Sequence, residues 1–370
     1  MSVDGGGVPR PEGGLGTTAR HAVTAEEVAR RAGVSQSAVS RAFTPGASVA
    51  AKTREKVLAA ARELGYRPNA MARTLITNRS RIIGVVMAYL DNMIYPDVLE
   101  KLAAGLQQRG YQMLLFTGFK DRNSDPVFEQ IMQYRVDGLL LASTTLSSDL
   151  SDECAAAGVP VVMFNRMTEH PLCSSVTSDN RNGGRQIAEF LVAGGHRRFA
   201  YVAGAAISST NRDREAGFRE GLLRHGIGQI GHAEGNLELA DTWVAARDLF
   251  AADEPPDAVF AGSDHMALAV MEVARHEFGL RVPEDVSIVG YDDVGAARWP
   301  SFSLTSFTLP VAPMVDAAVE LMMEQIESSS ILSHHRVVPG RLAVRGSARL
   351  PGGPVLDRDG TLIWAPGGTE

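Results

Sequence analysis

Gln36, Ser37 and Arg41 stand within six positions of one another, directly after Ser35, in the run "AGVSQSAVSRAF". An amide, a hydroxyl and a guanidinium at this spacing are groups that read base edges in a major groove, the arginine reaching a guanine or a phosphate. Ser35 suits the start of a helix, where a phosphate is favoured. Chemistry that makes or breaks bonds has a poorer footing. The chain has no GxxxxGK[ST] loop, no GxGxxG following a strand with an acid further on, and no GxSxG elbow. His334 and His335 are adjacent, so one helix face cannot present both to a metal; Asp292 and Asp293 are a neighbouring carboxylate pair. Cys154 and Cys173 have no His–Asp setting around them and no CxxC spacing for zinc. The expectation is a binding protein and not an enzyme, with neither metal nor cofactor.

The elements that must hold these residues are short. Thr24 suits an N-cap, and Glu27 three residues later completes a capping box. A first helix over Ala25–Arg30 then meets Gly33, which can take the left-handed conformation that redirects the chain. A second helix follows Ser35, with Val28 and Val39 as core and the small Ala29 at the crossing. Helix, glycine turn, helix is the helix-turn-helix unit. On these residues alone a solvated surface hairpin remains the alternative. "AKTREKVLAAARELGY" reads as a third helix, with Val57, Leu58, Ala61 and Leu64 at core spacing and Lys52, Arg54 and Lys56 near its start. Pro68 opens a further segment, Asn69 to Leu75, of about two turns, too short to be stable without a partner.

The bulk numbers agree with two kinds of module. Of 370 residues, 45% are hydrophobic, enough for a proper core, and the net charge is −7. Residues 21–81 nevertheless carry 11 Lys/Arg against four Asp/Glu, a basic module on an acidic body. Two cysteines fit a reducing cytoplasm; residues 1–20 read as a disordered tail without the apolar core of a signal peptide, and no run reaches membrane-span length. From "RIIGVVMA" onward, short apolar strands ("YQMLLFT", "DGLLLAS", "VPVVMFN", "RFAYVAG", "DAVFAG", "VSIVGYDD") alternate with amphipathic helices. That rhythm implies parallel sheets covered on both faces, with too many units for one sheet, hence two α/β subdomains. Residues 351–370 read as a loop-like tail whose apolar patch, Leu362 to Trp364, could dock on the body.

The succession Thr24–Arg41, "TREKV…ELGYRPNAMARTL" and "IIGVV", continued by "GVPVVMFNR", "SDNRNGGRQIAEFL", "VFAGSDHMALAVM" and "RVPEDVSIVGYDD", resembles the LacI/GalR family of bacterial transcription repressors from about Val23 to about Arg349. The resemblance implies an all-α N-terminal helix-turn-helix headpiece (21–67), a hinge helix and linker (68–80) and an α/β two-subdomain periplasmic-binding-protein-like body (81–350) for effector binding and dimerisation. The tails are 1–20 and 351–370. It implies a homodimer on near-palindromic double-stranded operator DNA, in the cytoplasm and not at a membrane. The implied DNA-binding set is Thr24, Ser35, Gln36, Ser37, Ser40, Arg41, Lys52, Arg54, Tyr66, Asn69, Ala70, Arg73 and Leu75, the last as a wedge that unstacks a base step in the minor groove.

The implied effector, a small carbohydrate-like molecule, would lie between the subdomains against Asn92, Tyr95, Phe164, Asn165, Asp179, Thr210, Arg214, Ser263 and Asp292. Asn165, Ser263 and Leu309 depart from the Asp, Asn and Gln common in relatives. Arg214 and Asp292 would clamp adjacent oxygens, or pair only with each other as a structural salt bridge. Trp243 and Trp299 would stack on a sugar face or pack between helix and sheet. Effector-required repression of the purine type, and a pure solute-binding protein, stand as the alternatives.

Overall fold

The computed structural model describes residues 23–44, 46–67, 79–118, 125–142, 144, 147–168, 170–328, 333–352, 355–358 and 361–365. The chain divides into two compact units, Met1–Asn78 and Arg79–Glu370.

The first unit holds α1 (Ala25–Ala32), α2 (Gln36–Phe43) and α3 (Ala51–Leu64). Both halves of the capping box are present: Thr24 N–H donates to the Glu27 carboxylate at 2.7 Å, and Glu27 N–H donates to Thr24 Oγ1 at 3.3 Å. Gly33 has φ 67° and closes α1, and Val34 N–H returns to the Ala29 carbonyl at 3.0 Å. Ser35 Oγ accepts from Ala38 N–H and starts α2. The three helices bury Val28, Ala29, Val39, Ala42, Val57, Ala60 and Ala61 against one another. Leu58, expected in that core, is 36% exposed. Val57, Ala60, Ala61 and Leu64 follow the 3.6-residue period on one face, and Leu58 is turned about 100° away from it.

The second unit contains two sheets. The first is parallel, with order β11-β5-β4-β3-β1-β2, from β1 (Ile82–Met87), β2 (Gln112–Thr117), β3 (Gly138–Ala142), β4 (Val161–Phe164), β5 (Cys173–Ser178) and β11 (His335–Val338). Its helices are α4 (Tyr95–Gln108), α5 (Asp125–Met132), α6 (Ser148–Ala156) and α11 (Val311–Ser328). The second sheet has order β13-β14-β12-β10-β9-β8-β6-β7. Its parallel part is β6 (Phe199–Ala203), β7 (Gly231–Glu234), β8 (Ala258–Ala261), β9 (Ser287–Asp292) and β10 (Thr305–Thr308). Antiparallel strands β12 (Leu342–Val344), β14 (Thr361–Trp364) and β13 (Val355–Arg358) extend it. Helices α7 (Asn180–Ala193), α8 (Ser209–Leu223), α9 (Leu239–Phe250) and α10 (Asp264–His276) serve this lobe. The segment expected as a loop-like tail is therefore corrected in part: strand β14 buries Ile363 and Trp364, and Trp364 meets Phe190 edge-on at 5.6 Å.

The chain passes between the two lobes three times, between β5 and α7, between β10 and α11, and between β11 and β12. The crossings are tied together: Asp179 N–H donates to the Val338 carbonyl, and Thr308 N–H to the Arg341 carbonyl. Among the described residues, no helix is long and apolar enough to cross a membrane.

Candidate functional site

A cleft opens between the lobes at the C-terminal ends of both sets of parallel strands, the usual place for a ligand in an open α/β sheet. From the first lobe it receives Asn92 after β1 and Asn165 with Arg166 after β4; from the second, Thr210 and Arg214 on α8, Ser263 after β8 and Asp292 at the end of β9. Two strand ends carry unusual backbone: Asn165 has φ 55° and Asp292 φ 120°, conformations that non-glycine residues seldom adopt and that gather at functional sites.

Arg214 is buried and held on three sides. Its Nε donates to Asn180 Oδ1 at 2.8 Å, its Nη1 to the Gly262 carbonyl, and its guanidinium lies 3.6 Å above the Tyr291 ring centroid. Its Nη2 is 3.5 Å from Asp292 Oδ1 and makes no hydrogen bond. Burial pushes the Asp292 carboxyl up to about 6 against the opposing pull of Arg214 and Arg166. Arg214 and Asp292 are thus near enough to interact, yet the arginine retains a donor for a third party.

The helix bearing Arg214 approaches α7 very closely. A Cβ on Gly184 would collide with the Arg214 carbonyl, and one on Gly217 with the Arg181 carbonyl. Glycine at both places lets the backbones touch and carries Arg214 to Asn180 at the head of α7. Ser208 caps α8, and Asn211 Oδ1 accepts from Gly204 N–H at 2.7 Å and from the Tyr201 hydroxyl at 2.8 Å, fixing the loop after β6. Asp264 accepts from Ser306 Oγ at 2.6 Å and from Val294 N–H at 2.9 Å, tying down the loop that follows Asp292. Burial, then Asp292, hold its carboxyl well above the usual range.

Of the expected effector residues, Asn92, Asn165, Thr210, Arg214, Ser263 and Asp292 line the cleft. Tyr95 is buried with its side chain beside Asn165, and burial pushes its hydroxyl up to about 12. Phe164 does not reach the cleft. As the last residue of β4 it packs in the apolar core, and the next residue, Asn165, turns into the opening. Asp179 does not reach it either, because its carboxylate caps α7 by accepting from Asn182 N–H at a lobe crossing. Ser263 Oγ also serves as a cap, accepting from Met266 N–H. Trp243 and Trp299 take neither expected role: they are 41% and 59% exposed, outside both the cleft and the core. Arg166 was missed. It is buried in the cleft, and its Nη1 donates to Thr210 Oγ1 at 2.8 Å and to the Asn165 carbonyl at 3.0 Å. The sequence carries only a weak signal for it, since an arginine just past a strand end is ordinarily solvated.

In the first unit, Gln36, Ser37, Ser40 and Arg41 are exposed along α2, and Lys52 is exposed at the start of α3. Arg54 is half-buried, with Nη2 3.5 Å from the Ala47 carbonyl. Thr24 is engaged in its cap, and Tyr66 packs its ring 5.7 Å from Phe43. Asn69, Ala70, Arg73 and Leu75 lie outside the described residues.

Two family models match the chain: "Bacterial regulatory proteins, lacI family" over residues 24–69 and "Periplasmic binding protein-like domain" over residues 188–348. The HTH-type transcriptional regulator CelR of Thermobifida fusca is 34% identical over 337 residues, covering 89% of this chain and 99% of the relative. A solved CelR–cellobiose complex is 32% identical with a TM-score of 0.66, covering 88% of this chain and all of that one. The lac repressor dimer bound to operator and the anti-inducer ONPF is 28% identical with a TM-score of 0.79, covering 88% of this chain and 99% of that one.

Proposed function

Since the chain belongs to the lacI family of bacterial regulatory proteins and is a DNA-binding regulator of transcription, we propose that it is a homodimeric repressor whose grip on a near-palindromic operator is set by a small hydroxylated molecule in the cleft. The observation that carries this reading is Arg214, clamped by Asn180, Gly262 and Tyr291 yet left with an unpartnered Nη2 beside Asp292. A buried donor without a partner is costly, and a ligand oxygen would satisfy it while ligand hydroxyls donate to Asp292. A ligand that touches Asn165 and Arg166 on one lobe and Arg214 and Asp292 on the other favours one angle between the lobes. It shifts the equilibrium by its difference in affinity for the two angles.

The coupling to DNA follows from where the chain enters the body. Arg79 Nη2 donates to the Ile326 carbonyl on α11, and Ser80 and Arg81 are bound through Asp137, all in the first lobe. Residues 68–78 join that lobe to the headpiece along the chain, and Leu75 among them is the proposed minor-groove wedge. Leu239, Trp243 and Val244 on α9 are exposed apolar side chains that pairing of two copies would cover, in support of the dimer. The reading is of a cytoplasmic protein that binds and does not catalyse.

The test is a thermal-shift screen of the purified chain against sugars, sugar acids, sugar phosphates and purines, repeated on Arg214→Ala. A ligand of the folded state raises the melting temperature. The expected result is a dose-dependent hit that the variant loses; a hit retained in full by the variant would move the site elsewhere. The sign of its effect on operator binding separates induction from co-repression.

A further inference from the structure

Among the described residues, the cleft buries two guanidinium groups against a single carboxylate. Arg166 and Arg214 are 5% and 4% exposed, and both line the opening that Asp292 closes. Arg166 has no carboxylate oxygen within ion-pair distance among the described residues. Its hydrogen bonds go to a backbone carbonyl and the Thr210 hydroxyl, neither of them charged. Arg214 Nη2 lies 3.5 Å from Asp292 Oδ1, an ion pair in which the nitrogen makes no hydrogen bond. Burial, and after it the nearby Arg214 charge, press the Arg166 guanidinium toward its neutral form. Asp264, behind Asp292, is bound to Ser306 and Val294 and does not line the opening. The balance at the cleft wall is one unmatched positive charge in a site shielded from water, a state that calls for an anion.

We propose that the cleft takes a monocarboxylate bearing several hydroxyls, a six-carbon sugar acid, whose carboxylate lies between Arg166 and Arg214 while Asp292 accepts from its hydroxyls. This rests on the cleft being the effector site. One carboxylate cancels the excess charge. A neutral sugar leaves it unmatched, and a phosphate monoester, at about −1.5 to −2, overshoots it. Guanidinium forks match carboxylate oxygens in pairs. The Asn165 amide, whose Oδ1 is also unpartnered, gives the ligand an acceptor without adding negative charge.

The experiment is calorimetric titration of the full chain with glucuronate, galacturonate and gluconate. Glucose, galactose and glucose 6-phosphate are run beside them, on wild type, Arg166→Gln, Arg166→Lys and Arg214→Ala. At least one acid is expected to bind ten-fold or more tighter than its neutral counterpart. Arg166→Gln should collapse that ratio, and Arg166→Lys, which keeps the charge, should retain most of it and guard against a folding defect. A neutral sugar that binds as tightly as its acid and is lost in Arg214→Ala overturns this inference and leaves the effector cleft standing. Tighter binding of the phosphate than of any acid also overturns it. No binding by any compound overturns the cleft reading together with this one.

Discussion

At the scale of single residues, the cleft is a set of polar groups kept short of full satisfaction. Asp292 shows the consequence for stability. Its unfolded-chain value is near 3.8 and burial raises it to about 6, so between those values the native state holds a proton that the unfolded chain has released. Unliganded stability therefore falls as pH rises from about 4 to about 6, by about 3 kcal/mol. Asp292→Asn should remove this contribution to the pH slope. Chemical denaturation of both proteins at pH 4.5 and 7 measures it, and equal pH dependence in the two would contradict the account. Sequence alone placed Arg214 and Asp292 near one another only through resemblance, because 78 positions separate them. Phe164 and Asp179 show the limit of that transfer: a residue next to a site position can be core or cap, and alternation along a strand or the geometry of a helix start decides which. Arg166 was passed over because a lone arginine in sequence looks like solvated surface.

At the scale of elements, two close fits position the chemistry. The α7–α8 crossing requires glycine, so Gly217→Ala should destabilise the body by about 3 kcal/mol or more through backbone collision, and should weaken any cleft ligand by shifting Arg214. Thermal melts with and without ligand test both parts; an unchanged melting temperature would contradict the geometry. In the headpiece, caps at Thr24 and Ser35 and the turn at Gly33 set α2 with its polar face outward. Gln36→Ala combined with Ser37→Ala should flatten discrimination between operator and random DNA while leaving the fold intact. Undiminished discrimination in a competition assay would count against α2 as the reading helix. The caps, the turn and the apolar strands were legible because each has a local signature. Strand β5, "CSSVTS", was not: it is buried along its whole length yet mostly hydroxyl-bearing. Its Ser174 meets Gln325 and the His334 amide, and Ser175 meets His335. Tertiary partners supply what hydrophobic patterning lacks. Strand β14 was hidden likewise among the glycines and prolines around it.

At the scale of the whole molecule, a basic headpiece and an acidic body divide the labour of binding DNA and sensing a ligand. The charge excess of residues 21–81 predicts operator affinity that falls steeply with salt, as phosphate contacts release counterions. Three chain crossings let the two lobes change their angle without breaking either sheet. The division into headpiece and body was readable from charge and from the change of periodicity near Arg81; the eight-stranded extent of the second sheet was not. The most direct measurement begins by selecting a binding site for the full chain from random duplex DNA. Its affinity is then measured with and without the cleft ligand, for wild type and for Arg214→Ala. Enrichment of a near-palindromic sequence is expected, with a ligand-dependent change of ten-fold or more for wild type and no change for the variant. Failure to enrich any sequence, or an equal ligand response in both proteins, would contradict the repressor reading.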